Sequence, residues 1–442
     1  MKLPEPVRQV LAQMEQAGYE AFVVGGAVRD HVRCGAVAQD WDIATNARPE
    51  QVKELFSSVP VVETGLRHGT VTVHLEGLPM EITTYRVDGA YSDSRHPDSI
   101  CFAPSLQDDL ERRDFTMNAL AYHPGIGLID TMGGIRDIQS GLIRCVGIPE
   151  RRFREDALRI LRALRFAARY NMTLEEETAA ALHHSAPLLA AVSAERIQSE
   201  LTRLLCGPGA IPVLRQFVDV LAVPLPELAP MVGFAQHNPY HDRDVWAHTL
   251  AVVEHTPPQP VLRWAALLHD VGKPACFSLD ENGVGHFHGH GEESVRQSEH
   301  ILDRLRFDGE SREQMISLIR HHDGPVAPQK RLLRRLLSRH GPELARQLLK
   351  LHEADAWGKS ALCQPQIAHC REAQTMLENL LREEGCVTRH SLAIDGRDLL
   401  ALGLSGKAIG EALHVCLEQV LDENIPNEKE SLLAFVRAGS KV

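Results

Sequence analysis

Residues 21–45 read AFVVGGAVRDHVRCGAVAQDWDIAT. AFVV is a strand-like apolar run that ends on Gly25-Gly26, after which Ala27, Val28, Arg29 and Asp30 open a helix. Two glycines at a strand–helix junction let backbone approach a phosphate, and the first helical turn offers that anion unpaired N–H groups. Arg29 can add a charge-assisted contact to the same phosphates. Asp40 and Asp42 follow in DWDIAT. In a strand, residues i and i+2 share a face, so the two carboxylates are expected to project together while Trp41 points the other way. Parallel carboxylates repel unless a cation sits between them, and hard oxygen ligands of this kind suit Mg²⁺ and two-metal phosphoryl transfer. A lone Gly-Gly or a lone DxD carries little information. The two at this spacing point to a nucleotide-transfer site.

The rest of the chain is consistent with a soluble globular protein. Its 442 residues allow several domains, and 44% are hydrophobic and 24% charged. No apolar run reaches the roughly 20 residues that span a bilayer, so no membrane partner is expected. The N-terminal MKLPEPVRQVLAQMEQAGYEAF carries acidic residues and lacks the apolar stretch of a signal peptide. The nine cysteines form no CxxC pair, which fits reduced thiols and a cytoplasmic location. The net charge of −12 opposes non-specific nucleic-acid binding, yet positive charge is concentrated locally. One cluster runs from Arg151 to Arg169, and another comprises Lys330, Arg331, Arg334, Arg335 and Arg339. Either can serve an RNA end or be a solvated helix face.

Strand-like runs (AFVVGG, TVTVHLEG, PMEITTYRV, GLIRCVGI) mark residues 1–150, and helical spacing dominates afterwards, as in DALRILRALRFAARY, ERIQSELTRLL and PVLRWAALLHDVG. Pro224, Pro226 and Pro230 suggest a boundary near 225, and another is expected near 360. The expected order is therefore a head at 1–150, a helical neck at 151–225, a histidine-rich module at 226–360 and a helical tail at 361–442.

The Gly-Gly-Ala-Val-Arg-Asp run with DWD resembles the class II tRNA nucleotidyltransferase and bacterial poly(A) polymerase family, of the polymerase-β-like superfamily. RHGTVTV (67–73), RRDFTMNAL (112–120) and IDTMGGIRDI (129–138) resemble its further motifs, with Thr131 where the family usually has Pro. SAERIQSEL (193–201) resembles the last motif of head and neck. Read from the residues alone, it is an imperfect capping box with Ser193 as cap and Arg196 where Glu or Gln is usual. The resemblance implies an α+β fold: a nucleotidyltransferase head with a small mixed sheet, then an all-helical neck, an HD domain and a tail. It implies Asp40, Asp42 and Glu81 as catalytic carboxylates holding Mg²⁺, and Gly26, Arg29 and Arg113 as nucleotide-binding residues. DGAYSDSRHPDSICF (88–102) resembles a loop near the active site of the tRNA enzymes. Its deletion is expected to spare C addition and abolish A addition.

RRFREDALRILRALRF (151–166) places Asp156 and Arg159 three residues apart, on one face of an expected helix, with Arg162 and Arg165 continuing the stripe. On its own such a pair is an ordinary surface ion pair. By resemblance it is a protein template for the incoming base, and all four residues are taken as nucleotide-binding. Cytosine and adenine each present an amino donor beside a ring-nitrogen acceptor, which a carboxylate and a guanidinium complement. Uracil and guanine set a carbonyl against the carboxylate. The implied substrates are tRNA, CTP and ATP, and the implied activity is addition of CCA to the tRNA 3′ end.

His248, His269-Asp270, His290, the adjacent His321 and His322, and Asp355 resemble the metal-ligand pattern of the HD phosphohydrolase superfamily, with His321 taken as the fifth ligand and Asp355 as the last. Imidazoles mixed with carboxylates suit a second divalent metal, and Lys273 could contact a phosphate. A structural HD spacer remains the alternative here. In the tail, Gly403 and Gly406 precede a helix opening near Lys407, either a backbone contact to tRNA phosphates or a packing element. Four rival activities are an A-adding enzyme, a poly(A) polymerase, a phosphohydrolase with an RNA-binding head, and an enzyme limited to CC, which would be expected to lack the 88–102 loop. The acidic net charge weighs against the second, and intact Asp40, Asp42, Asp156 and Arg159 against the third.

Overall fold

The computed structural model describes residues 1–63, 69–88, 100–383 and 388–439. Two compact units emerge, Met1–Pro226 and Glu227–Val442. Strands of the first are β1 (Ala21–Val24), β2 (Trp41–Thr45), β3 (Val61–Val62), β4 (Thr70–Leu75), β5 (Leu78–Thr84), β6 (Arg86–Asp88), β7 (Ile100–Phe102), β8 (Ala121–His123), β9 (Gly127–Ile129), β10 (Leu142–Ile143) and β11 (Thr173–Leu174). Seven of these form one mixed sheet in the order β3-β4-β5-β2-β1-β8-β9. Within it β2 and β5 run parallel and the other neighbours antiparallel.

All four residues of β1 are buried, as a continuous apolar run requires of a strand covered on both faces. In β2, Asp42 alone is exposed. Asp42 pairs in register with Val24 on one side and Glu81 on the other, which brings two carboxylates onto neighbouring strands. Phe22, Val24, Ala44, Tyr85, Leu110 and Ala121 share one core beneath this edge of the site.

Helices α1 (Glu5–Gln16), α2 (Gly26–Cys34), α3 (Pro49–Leu55), α4 (Leu106–Glu111) and α5 (Gly134–Ser140) accompany the sheet. The neck follows as α6 (Pro149–Glu155), α7 (Leu158–Tyr170), α8 (Glu176–Ser185), α9 (Ala194–Leu205), α10 (Ala210–Gln216) and α11 (Val218–Leu221). Helix α7 packs against α9, α10 and the short β10–β11 ladder, so head and neck join in one unit.

Four local expectations need correction. Strand β2 begins at Trp41, so Asp40 lies in the bend before it and not in the strand that carries Asp42. The run GLIRCVGI supplies only Leu142–Ile143, paired in parallel with Thr173–Leu174. Residues 156–170 are not one helix from Asp156, whose backbone is extended (φ −143°, ψ 104°) between α6 and α7. The Asp156 carboxylate accepts from the Leu158 N–H (3.0 Å), a local bond that Asp favours over a helix interior. Finally, Ser193 stands at the start of α9, but its hydroxyl makes no capping bond.

The second unit contains α12 (Val245–His255), α13 (Pro260–Leu268), β12 (Ser278–Leu279), β13 (Gly285–His286), α14 (His290–Arg304), α15 (Gly309–His321), α16 (Lys330–Gly358), α17 (Gln364–Glu383), α18 (Gly396–Ala401), α19 (Lys407–Leu421) and α20 (Lys429–Gly439). Helix α16 bends at Gly341 (φ 74°, ψ 170°), next to Pro342, and packs against α12, α15, α17 and α19. One bent helix thus serves both the histidine-rich module and the tail. In the second basic cluster, Arg331 pairs with Asp422 (2.5 Å), Arg334 with Glu423 (2.5 Å) and Arg335 with Glu418 (2.8 Å). These arginines meet the carboxylates at the end of α19 instead of forming an open basic face. Among the described residues, no helix is long and apolar enough to cross a membrane.

Gly134 at the start of α5 lies against the Thr116–Asn118 turn, where an added Cβ would overlap the Thr116 carbonyl. Gly134→Ala is expected to cost on the order of 1–3 kcal/mol by forcing backbone apart. The midpoint of urea unfolding measures it, and an unchanged midpoint would refute the close approach.

Candidate active site

The C-terminal end of β1, the start of α2, the turn 112–118 and helix α7 enclose a cavity of about 370 Å³. Its lining includes Gly25, Gly26, Arg29, Asp42, Arg113, Asp156, Arg159 and Arg162, which sequence reasoning had singled out. It also includes Arg112, Asp114, Asn118 and Phe166, which that reasoning had not assigned roles. Six arginines line it against three aspartates, so the local field is positive in a chain of net charge −12. Glu81 stands beside Asp42 in register but is not among the lining residues, and neither are Asp40 or Arg165.

Gly25 (φ 69°) leads into α2, and a Cβ there would lie 3.3 Å from the Asp42 carboxylate and 3.4 Å from the Arg113 guanidinium. The glycine therefore lets a backbone turn pass between an acid and a base. Asp42 keeps an edge open to solvent, but the protein packed around its carboxyl displaces water from it; that desolvation, then the neighbouring Glu81 carboxylate, and also Asp40, hold the carboxyl above its ordinary pKa.

Every arginine around the cavity with a partner in hand is braced from behind. Arg29 Nη1 donates to Asn118 Oδ1 (2.7 Å), and Asn118 Nδ2 donates to Asp114 Oδ1 (2.9 Å). Arg162 grips the same aspartate through Nε (2.8 Å) and Nη2 (2.6 Å). Arg112 and Arg113 share Asp109 (2.7 and 3.0 Å). Arg159 Nη1 donates to Glu155 Oε2 (2.7 Å) and to the Arg152 carbonyl (3.2 Å). Arg196 reaches from α9 to Asp156 Oδ2 (2.9 Å), which explains its presence where a capping Glu or Gln was expected. Arg165 turns away and forms a buried pair with Glu200 (2.5 Å). Asp156 and Arg159 thus line one cavity, each oriented by its own partner. No signal in the sequence identifies Asp114 and Glu200 as the partners of Arg162 and Arg165, because they lie 48 and 35 residues away from the arginines they hold.

A second cluster lies wholly within Glu227–Val442. Asp270 Oδ2 is 3.2 Å from Nε2 of both His248 and His269, and its Oδ1 is 3.6 Å from His290 Nε2 and 3.7 Å from His322 Nε2. Asp355 Oδ1 lies 3.3 Å from His248 Nε2. Three imidazoles are oriented by backbone: Nδ1 of His269, His290 and His322 lies 2.8, 2.9 and 2.6 Å from the carbonyls of Ala266, Phe287 and Ile319. Donation from Nδ1 leaves each Nε2 lone pair aimed inward, as metal ligation requires. Lys273 (2.7 Å) and Lys359 (2.5 Å) pair with Asp270 and Asp355, and Lys359 was not anticipated. Burial opposes ionisation, yet His269 and Lys273 hold Asp270 well below its ordinary pKa, and Lys359 does the same for Asp355.

His322 replaces His321 in this cluster. Adjacent residues at the end of α15 point about 100° apart, so only one can face inward. The His321 ring packs instead on His340, 4.7 Å between centroids.

A family model of the poly(A) polymerase head domain matches residues 21–144, and one of a probable RNA- and SrmB-binding site of polymerase A matches 171–231. A putative second tRNA nucleotidyltransferase domain matches 296–436. The CCA-adding enzyme of Levilactobacillus brevis is 34% identical over 98% of this chain and 97% of its own length. The chain belongs to the CCA-adding enzyme family. The CCA-adding enzyme of Lactiplantibacillus plantarum is 32% identical over 98% of this chain and 96% of its own. The solved CCA-adding enzyme of Bacillus stearothermophilus, in complex with CTP, matches with a TM-score of 0.75 at 28% identity, covering 100% of this chain and 98% of that one.

The Asp114–Arg162 pair gives a pH signature. Burial raises and Arg162 lowers the Asp114 pKa, which falls from 3.8 to about 2. A depressed carboxylate pKa contributes stability above its unfolded value, and the contribution fades as pH falls toward the folded value. The stability difference between the wild type and Asp114→Asn is expected to be on the order of 2 kcal/mol above pH ~4 and to shrink toward pH ~2. Urea unfolding at several pH values measures it; a difference independent of pH would contradict the pairing.

Proposed function

We propose that this chain adds C, C and A in succession to the 3′ end of tRNA, with CTP and ATP as substrates and no nucleic-acid template, in the cytoplasm. The observation that carries this reading is the cavity that combines Asp42, the glycine-led start of α2 and the oriented pair Asp156 and Arg159. Similarity to CCA-adding enzymes along nearly the whole chain supports it.

The carboxylates fit Mg²⁺: they are hard oxygen donors, and the desolvation and the repulsion from Glu81 and Asp40 that raise the Asp42 pKa are what a cation offsets. Asp42, with Asp40 and Glu81, would hold two such ions, which when bound neutralise the triphosphate and activate the attacking 3′-hydroxyl. The chain's own residues do the rest. The N–H groups that open α2 and the guanidiniums of Arg29 and Arg113 receive the phosphates. The Asp156 oxygens, each with two acceptor sites, retain capacity to accept from the amino group of cytosine or adenine while bonded to Leu158 and Arg196. Arg159, aimed by Glu155, donates to the ring nitrogen or the cytosine carbonyl. Uracil and guanine would set acceptor against acceptor in a desolvated site. Arg162 and Arg165 then act as braces for α7, through Asp114 and Glu200, more than as contacts to the base. The switch from C to A is assigned to residues 88–102, of which 89–99 lie outside the described residues. β6 and β7 pair at its two ends.

Asp42→Ala is expected to abolish nucleotide addition in a folded protein. Asp156→Ala and Arg159→Ala should each reduce CTP and ATP use by on the order of 1–3 kcal/mol and blur discrimination against UTP and GTP. Incorporation assays with each NTP and tRNAs lacking one, two or three terminal nucleotides measure this and separate CCA addition from A-only addition. Full activity of Asp42→Ala, or unchanged base preference in both other variants, would overturn the reading.

We further infer that residues 226–360, in the second unit, form an HD-type hydrolase that clears 2′,3′-cyclic or terminal phosphates, groups that deny tRNA the free 3′-hydroxyl needed for addition. Two groups of three donors within 4.8 Å, His248–His269–Asp270 and Asp270–His290–His322, fit a divalent metal. When bound, the metal supplies hydroxide and offsets phosphate charge. His269→Ala is expected to abolish metal-dependent hydrolysis of such esters and leave CCA addition unchanged. No hydrolysis by the wild type with Mg²⁺, Mn²⁺, Ni²⁺ or Co²⁺ would favour a structural module.

A further inference from the structure

The first half of α16 carries Arg331, Arg334, Arg335 and Arg339. Asp422, Glu423 and Glu418 neutralise the first three. Arg339, one turn beyond Arg335, is exposed and has no such pair among the described residues. It borders a cavity of about 240 Å³ at the bend of α16, wholly within Glu227–Val442. Leu332 and Leu336 line this cavity from the half of the helix before Gly341, Leu348 and Leu349 from the half after it, and Val326 from the loop after α15. Val326 and Leu336 are only partly buried against the core beneath, which leaves apolar surface for an occupant to cover. No metal-ligand candidate of the histidine cluster is among the walls.

The polar lining is all of one kind. It consists of Arg335, Arg339 and the imidazoles of His321, His340 and His352, with no aspartate or glutamate. Burial, then His321 and Arg339, push the His340 pKa down to about 4, so this ring is neutral near physiological pH and the positive charge is that of Arg339. His352 is 8% exposed, and its Nε2 has no hydrogen-bond partner. A buried ring nitrogen without a partner is costly, and a polar atom of a bound molecule would relieve it. An unneutralised guanidinium at the edge of a leucine-walled cavity is complementary to an anion with a hydrocarbon body. The fork holds a carboxylate through parallel bonds, and the leucines bury the chain. At ~30 Å³ for each water-sized group the cavity accepts about eight, fewer than the roughly 300–1,000 Å³ pockets of drug-sized ligands hold.

We propose that this cavity binds a small amphiphilic carboxylate, its head on Arg339 beside His321 and His340 and its chain between the two halves of α16. The site is separate from nucleotide addition and from phosphate hydrolysis and depends on neither reading. Touching both halves of the helix, the ligand fixes the angle at Gly341, the bend through which the tail joins the histidine-rich module.

Calorimetric titration of the full chain with octanoate, octanol and acetate tests the site. Octanoate should bind, octanol about tenfold more weakly for want of the charge-assisted contact, and acetate not measurably. Arg339→Gln, at an exposed position that the fold tolerates, should weaken octanoate about tenfold and leave octanol within about twofold. Leu336→Trp, which fills the cavity, should weaken both. His269→Ala should change neither, because it touches only the histidine cluster. Equal affinity for octanoate and octanol, full octanoate binding by Arg339→Gln, or no octanoate binding by the wild type would overturn the proposal. Loss of octanoate binding in His269→Ala would place the carboxylate on the histidine cluster and overturn it as well.

Discussion

The ion pair between Asp114 and Arg162 holds the candidate active site together. It joins a turn of the head to helix α7 of the neck, and through Asn118 it extends to Arg29 at the start of α2. Three segments remote in sequence therefore meet at one aspartate. Desolvating such a pair is costly, and its Coulomb attraction offsets that cost only when the remaining donors and acceptors are also bonded. Here both Asp114 oxygens are used: Oδ1 accepts from Asn118 and from the Phe115 N–H, and Oδ2 accepts twice from Arg162.

The same design recurs around the cavity. A guanidinium left free would lose rotamer entropy on meeting a substrate, whereas one already aimed by a carboxylate loses less. Glu155 aims Arg159, Asp109 aims Arg112 and Arg113, and Arg196 fixes Asp156 from a third helix. On the proposed reading such rigidity has a use: with no template strand, the donor and acceptor positions are the record of which base is correct. The positive lining reconciles an acidic chain with a polyanionic substrate, since the nearby field matters more than total charge.

The histidine cluster solves its own orientation problem with backbone. Carbonyls of Ala266, Phe287 and Ile319 turn three rings inward, each from three residues earlier in the chain. His248 is confined differently. A Cβ on Gly358 would come within 2.8 Å of its Nδ1, so the glycine makes room for the ring.

Much of this was legible without tertiary structure. The apolar run of β1, the Gly-Gly turn, the outward-facing Asp42 of β2 and the helical spacing after residue 150 are local patterns, and local physics determines them. So is the chemistry of the donors: carboxylates for a hard cation, imidazoles and carboxylates for the second cluster. What the sequence left open depends on angles and distances between remote segments. A bend before Trp41 leaves Asp40 outside the strand that carries Asp42, and an extended Asp156 interrupts a pattern that reads as one helix. Helix phase at the end of α15 chooses His322 over His321. Asp114 and Glu200 acquire their roles only because folding brings an opposite charge to them. Periodicity tells which face a residue occupies; only packing decides what that face meets.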